Sequence, residues 1–329
     1  MMDQLVARFT EQLREALEIG ENATINRHDT SIYNVFVSGM GGSAIGGSFV
    51  AEFVRDELKI PYSGGQGYDI PAWIGVNTLA IVSSYSGNTE ETISAFNQIL
   101  KTGAKIVVIA SGGKLVELAK ENNLDFITLP SDWPSPRACL GYSLVQQLFI
   151  LHKLELISDA SIKQVKSAAE LLDAESDSIK EKSKHIADIL FGKLPVIYTT
   201  DRMEAVAVRF RQQINENSKM LCWHHVLPEM NHNELVGWRD DYKDIAVVFF
   251  RNSDDLERNA TRIDITKEII GNCTQTIIDV YSKGNSLIER AFYLVHLGDW
   301  VTVYLADLRK MDSIEVKVID YLKGELAKV

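Results

Sequence analysis

The chain alternates short apolar runs with longer stretches whose apolar residues recur at helical spacing. Residues 35–39 read as a short strand, followed by a helix over 44–58. Residues 80–83 and 105–110 read as further strands, with helices over 90–102 and 114–122 after them. A fourth strand is expected at 126–129 and a long helix at 138–156. Strands separated by helices of this length predict a parallel, doubly wound sheet.

From about residue 159 to 184 the character changes. This stretch is rich in Ala, Glu, Lys, Asp and Ser, lacks Gly and Pro, and is expected to form one exposed helical connector. The earlier plan then restarts, with strands at 194–199, 245–250 and 276–280 and helices at 203–216 and 256–270. Two helices over 286–310 and 314–328 close the chain. The pattern therefore predicts an α/β protein of two similar domains, residues 1–157 and 191–329, with a helical linker over 158–190.

With 329 residues the chain can bury two sizeable cores. Its net charge of −11 argues against a nucleic-acid partner, because holding a phosphate backbone takes clustered Lys and Arg. A small anion in a local pocket remains compatible with that charge. No apolar run reaches the length of a membrane span, so no membrane partner is expected. The N-terminus, with Asp3, Arg8, Glu11 and Arg14, reads as an amphipathic helix rather than a signal peptide. Cys139, Cys222 and Cys273 lie too far apart for a disulfide framework, which makes the cytoplasm the expected compartment.

The most informative chemistry lies in Ser84-Tyr85-Ser86-Gly87-Asn88-Thr89, between an apolar strand and a helix that opens with Glu90. Hydroxyls at that place join the free N–H groups and the positive dipole end of the helix, which makes an anion site. The loop lacks the lysine of a P-loop, so it suits a phosphomonoester better than a nucleoside triphosphate. The plain alternative is a turn and N-cap cluster, since the same residue types favour both.

A second glycine turn, Gly39-Met40-Gly41-Gly42-Ser43, ends the first strand. With Ala44 it fits the G-x-G-x-x-A dinucleotide fingerprint, but no clear acidic residue ends the second strand, which weakens a dehydrogenase reading. Two such turns at the carboxyl ends of strands in one sheet favour a phosphosugar. Arg137, in Pro134-Ser135-Pro136-Arg137, is either a surface arginine in a rigid turn or a cation for developing negative charge.

In the second half, Glu216 lies near the C-terminal end of a predicted helix, a setting that suits a general base. Residues 220–235 then gather Cys222, His224, His225, Asn231, His232 and Glu234. Zinc is one explanation, yet the spacing matches no standard zinc pattern, and adjacent His224 and His225 would point to opposite faces of a strand. The polar stretch 228–234 reads as a loop entering a helix, where a histidine can serve as acid or base.

Together, Gly39-Met40-Gly41-Gly42-Ser43, Ser84-Tyr85-Ser86-Gly87-Asn88-Thr89, Pro136-Arg137-Ala138, Asn215-Glu216-Asn217 and Asn231-His232-Asn233-Glu234 resemble the bifunctional phosphoglucose/phosphomannose isomerases. These enzymes are built from two sugar-isomerase (SIS) domains. The resemblance runs in order through nearly the whole chain, ending in the stretch from Asp299 to Ala306, and implies two flavodoxin-like SIS domains. It implies that Ser43, Ser84, Ser86 and Thr89 hold the substrate phosphate, with Gly41 and Gly42 letting the chain approach the sugar. Arg137 would steady the enediol charge, Glu216 would move a proton between C2 and C1, and His232 would open the sugar ring.

Lys310 would sit near the ring oxygen, although residues 308–313 depart from the more usual Gly-x-Asp-Pro. Thr302 would mark the difference from strict glucose-phosphate isomerases, letting both C2 epimers enter. The family also implies a homodimer with His232 donated across the interface, a phosphorylated hexose as substrate, and neither metal nor cofactor. Within enzymes the rival is a zinc-dependent mannose-phosphate isomerase. Outside them it is a non-catalytic phosphosugar-binding SIS regulatory protein.

Overall fold

A computed structural model describes residues 1–328 and divides into two compact units. The N-terminal unit comprises Arg8–Ala174 and Gly284–Glu289. The C-terminal unit comprises Met1–Ala7, Glu175–Lys283 and the residues from Arg290 onward. The short helix α1 (Met2–Ala7) is therefore part of the C-terminal unit.

The N-terminal unit runs α2 (Phe9–Asn22), β1 (Asn34–Ser38), α3 (Gly41–Val54), β2 (Tyr62–Gly65), β3 (Thr78–Ser83), α4 (Glu90–Ile99), β4 (Lys105–Ala110), α5 (Gly113–Glu121), β5 (Asp125–Thr128), α6 (Leu140–Lys153) and α7 (Ala160–Ala174). Its five strands are all parallel, in the order β2-β1-β3-β4-β5. Every residue of β3 is buried, which is why the strand reads as an unbroken apolar run rather than an alternation. Phe36, Val82, Phe96, Val108 and Leu115 form one core between sheet and helices. Each such ring or aliphatic chain, fully buried, contributes about 1.5–3 kcal/mol.

β2 was not expected from the sequence. Tyr62-Ser63-Gly64-Gly65 has no apolar run, and it becomes a strand by pairing in register with Val35 to Ser38 of β1. The chain thus leaves β1 for one edge and returns to β3 on the other side. β1 and β3 pair with Ser38 opposite Val82, so the turns that follow them emerge side by side. This is the switch point at which open α/β sheets take ligands.

The C-terminal unit runs α8 (Ser176–Leu190), β6 (Leu194–Thr200), α9 (Glu204–Glu216), β7 (Trp223–Leu227), β8 (Ile245–Arg251), α10 (Glu257–Ile270), β9 (Thr276–Tyr281), α11 (Leu287–Leu308) and α12 (Lys317–Leu326). Its four parallel strands follow the order β7-β6-β8-β9, the same path over one strand fewer. Val196, Tyr198, Val247, Phe249, Ile263 and Ile270 are buried together in its core. Both units are doubly wound, parallel-sheet α/β domains.

Residues 159–184, expected as one exposed helix, instead form parts of α7 and α8, which break at Glu175. Nor are they exposed all round. Val165, Ala168 and Leu172 of α7 and Ile179, Ser183 and Ile186 of α8 are buried. Small and aliphatic residues at spacings of three and four among the charges give each helix one inward face.

Candidate active-site elements in the two units

Three turns of the N-terminal unit meet at the switch point. Gly39 lets the first turn lie against the end of β3, since a Cβ there would stand 2.9 Å from the Ser83 carbonyl oxygen and 3.1 Å from the Ser43 Cβ. Gly41 follows in the left-handed region at φ +51°. Ser43 is buried in the first turn of α3, and the Pro136-Arg137 turn passes close by, with the Pro136 carbonyl oxygen 3.4 Å from where a Gly42 Cβ would be. Gly41, Gly42, Ser43 and Arg137 are thereby brought to one edge of the sheet. Arg137 is largely buried rather than on the surface, and a buried guanidinium requires anionic or carbonyl partners.

The loop after β3 lies beside this turn. Ser84 is buried, and its hydroxyl is 2.8 Å from that of Thr89. Thr89 is the N-cap residue of α4, yet its side chain makes no capping bond, so its hydroxyl turns toward Ser84 instead. The Ser86 hydroxyl accepts from the Asn88 N–H at 3.2 Å, and Ser86 itself is exposed. A helix start uncapped by its own N-cap side chain, with hydroxyls drawn together over it, can receive an anion.

The sequence reading missed what grips this loop. Gly87 has φ +69°, and a Cβ on it would lie 1.8 Å from the Gly112 carbonyl oxygen. The Gly87 carbonyl accepts from the Leu115 N–H at 3.0 Å, and the Asn88 side chain accepts from the Lys114 N–H at 2.9 Å. The turn between β4 and α5 is therefore a clasp on the Ser84–Thr89 loop. Its one signal in the sequence is the pair Gly112-Gly113, one residue beyond an apolar strand.

In the C-terminal unit, Glu216 is the last residue of α9 and is half-buried. The residues on either side are anchored. The Asn215 side chain donates to the Met220 carbonyl at 2.7 Å, and that of Asn217 donates to the Thr302 hydroxyl at 2.9 Å. Ser218 donates to the Thr302 carbonyl at 2.9 Å. Lys219, at φ +56°, turns its ammonium to the carbonyls of Glu216 and Glu315. Thr302 is fully buried on α11, and its hydroxyl also donates to the Asp299 carbonyl at 2.7 Å.

Lys310 lies just beyond α11, exposed, in the left-handed conformation at φ +57°. The Met311 N–H reaches the Ala306 carbonyl and the Lys310 N–H that of Asp307, both at 3.0 Å, a C-terminal cap whose left-handed position favours glycine. The departure from Gly-x-Asp-Pro therefore falls at a position with a backbone demand. Its neighbour Arg309 reaches the Lys219 carbonyl at 3.4 Å.

His232 ends a 3-10 turn (Glu229–His232) after β7 and is exposed, and a second such turn (Glu234–Gly237) follows in place of the expected helix. Both flanks of His232 are held. Asn231 donates to the Thr266 hydroxyl at 2.9 Å, and Glu234 accepts from the Tyr198 hydroxyl and from Trp223 Nε1 at 3.1 Å. Burial, then the bond to Glu234, pushes the Tyr198 hydroxyl well above the usual phenol range, so it donates.

Cys222 and His224 are both held in their neutral forms near pH 7. Burial pushes the Cys222 thiol up to about 12. Burial, then the charges of Arg211 and His225, lowers His224 to about 4, an effect the Glu234 carboxylate opposes. Among the described residues no group of three or more His, Cys, Asp and Glu side chains could hold a metal ion. No helix among them is long and apolar enough to cross a membrane.

The chain is similar to known proteins over most of its length. Residues 179–326 match the model of the bacterial phospho-glucose isomerase C-terminal SIS domain. The chain is 40% identical to a bifunctional phosphoglucose/phosphomannose isomerase of Caldicellulosiruptor bescii, over 100% of this chain and 99% of that one. It is 37% identical to the enzyme of the same name from Aquifex aeolicus, over 91% of this chain and 92% of that one. Among solved structures, the C-terminal domain of glucosamine-fructose-6-phosphate aminotransferase from Francisella tularensis superposes with a TM-score of 0.74 at 13% identity, covering 95% of this chain and 97% of that one, a likeness of fold. With relatives this similar along its whole length, the chain belongs to the bifunctional phosphoglucose/phosphomannose isomerase family.

Proposed function

We propose that this protein is an aldose–ketose isomerase that interconverts glucose 6-phosphate and mannose 6-phosphate with fructose 6-phosphate. The two aldoses differ only at C2, and loss of that proton from either open-chain sugar gives the same cis-enediol. Glu216 takes the proton from C2 and returns it to C1, while a hydroxyl proton passes from O2 to O1, so the reaction is a net transfer within one molecule. A proton beside a carbonyl is already weakly acidic, and the step calls for positioned charge rather than a redox group or Lewis acid.

In the N-terminal unit Ser43, Ser84, Ser86 and Thr89 hold the phosphate, with Gly41 and Gly42 admitting the sugar and Arg137 facing the enediol oxygens. In the C-terminal unit Glu216 is the base, and Lys310 acts at the ring oxygen. His232 opens the ring and, being exposed on its own chain, is donated to a second copy in a homodimer. That none of the three cysteines forms a disulfide fits work in the reducing cytoplasm.

The observation that carries an enzyme over a phosphosugar sensor is the setting of Glu216, a carboxylate at a helix end with both flanking residues anchored. A sensor needs the phosphate loop but has no use for such a base. The test is turnover of both aldose phosphates by purified protein under excess chelator, beside Glu216→Gln. The wild type is expected to convert both, and the variant to lose roughly 1,000-fold or more in kcat while still binding sugar phosphate. A variant with wild-type rate would show that the base lies elsewhere.

A further inference from the structure

Resting on the isomerase reading, we infer that Thr302 and Asn217 are positioning residues that aim Glu216, rather than contacts to the sugar. Thr302 is fully buried, and its hydroxyl is committed on both sides, donating to the Asp299 carbonyl at 2.7 Å and accepting from Asn217 Nδ2 at 2.9 Å. Its carbonyl accepts from Ser218 at 2.9 Å. One residue of α11 thus takes bonds from the two residues that directly follow Glu216. Asn217 and Ser218 are themselves fully buried, so these bonds form without competition from water.

The geometry explains why the hold falls where it does. The last turn of a helix is its loosest part, because its carbonyls lack intrahelical donors. Arg209 of α9 and Asn217, its C-cap residue, lie eight residues apart, and both bond to α11. The Arg209 guanidinium meets the Asp299 carboxylate at 2.6 Å, with both side chains buried. Burial holds the Asp299 carboxyl above the usual range, an effect the Arg209 charge opposes. The salt bridge fixes α9 upstream, and the Asn217–Thr302 bond fixes its rotation next to Glu216. A base that must reach C2 in either epimer gains from a fixed direction, since misplacement by about 1 Å can cost roughly 100-fold in rate.

The test is steady-state kinetics on both aldose phosphates for Thr302→Val, Thr302→Ser, Asn217→Ala and the double variant Thr302→Val/Asn217→Ala. Thr302→Val keeps the shape and removes both hydroxyl bonds, so kcat should fall roughly 10- to 100-fold while KM stays within about two-fold, equally for both sugars. Thr302→Ser restores both bonds and should recover most of the rate. Asn217→Ala should reproduce the loss, and the double variant should be little worse than either single one. A raised KM with kcat intact, or unequal losses on the two epimers, would place Thr302 against the sugar and overturn the inference.

Amide hydrogen exchange across residues 214–220 gives a readout independent of turnover. It should quicken in Thr302→Val and not in Thr302→Ser. Exchange unchanged in Thr302→Val sinks the positioning role. Wild-type protein that turned over neither sugar would sink the isomerase reading, and the exchange result would still decide whether Thr302 holds the end of α9.

Discussion

The two sheets share a strand path but use their switch points in opposite ways. In the N-terminal unit the turns after β1 and β3 are glycines and hydroxyls, with the Ser84 and Thr89 oxygens 2.8 Å apart and no acidic side chain before Glu90. In the C-terminal unit the turns after β6 and β8 contain Asp201, Asp254 and Asp255. There Asp255 accepts from the Asn252 N–H at 2.9 Å and from the Thr200 hydroxyl at 3.0 Å. Donors of the kind that can receive an anion in one unit are taken, in the other, by the protein's own carboxylate. The fold offers an anion position twice, and side chains decide whether a ligand or the chain fills it.

The comparison breaks most sharply at the N-terminal loop. Gly87→Ala puts a Cβ into the Gly112 carbonyl at a left-handed φ, so the loop must shift. Affinity for sugar phosphate should fall roughly 100-fold by calorimetry, the equivalent of about 3 kcal/mol of strain and lost contacts. Retained affinity would mean that the phosphate is held elsewhere.

A pH titration separates the units next. His224, on β7, is lowered from the ordinary histidine value to about 4 by burial, while the unfolded chain takes up its proton near 6.5. Between those values only the unfolded state is protonated. The His224 contribution is therefore intact above about pH 6.5 and drains as pH falls toward 4, by up to about 3 kcal/mol. Urea unfolding followed at both pH values should show this slope, and His224→Gln should flatten it. An unchanged slope in that variant would mean that His224 is not buried in its neutral form.

The smallest effect belongs to the C-terminal switch point. Asp255→Ala removes the carboxylate from the Asn252 N–H and the Thr200 hydroxyl and should cost about 1–2 kcal/mol of stability. Sugar-phosphate affinity should not change. A marked loss of affinity would show that this switch point also serves the ligand, and the contrast between the units would fail.

Much of this was legible in the chain. The apolar runs at 105–110 and 245–250 match β4 and β8 within a residue, because a strand buried on both faces has no polar position to obscure it. The predicted helix that ends near Glu216 matches α9, of which Glu216 is the last residue. The hydroxyl-rich loop stands out in the chain because its residue types are unusual directly after such a strand. β2 escaped because its four residues hold neither an apolar run nor an alternation. The exposed-connector expectation for 159–184 failed because charge outnumbers the buried stripe in the composition, although the stripe governs the packing.

The sequence by itself determined the α/β class, most of the strands and helices, the hydroxyl-rich loop and the order of the family's motifs. These depend on local composition and periodicity, which the chain carries in consecutive residues. Only the tertiary structure decided that β1 and β3 are neighbours, that Gly112 and Gly113 clasp the loop, and that Thr302 spends its hydroxyl on Asn217 and Asp299. Apart from the Thr302–Asp299 bond, which lies within one helical turn, those facts join residues from 25 to 85 positions apart. What a buried hydroxyl bonds to depends on which helix is packed against it, and no window of consecutive residues holds that information.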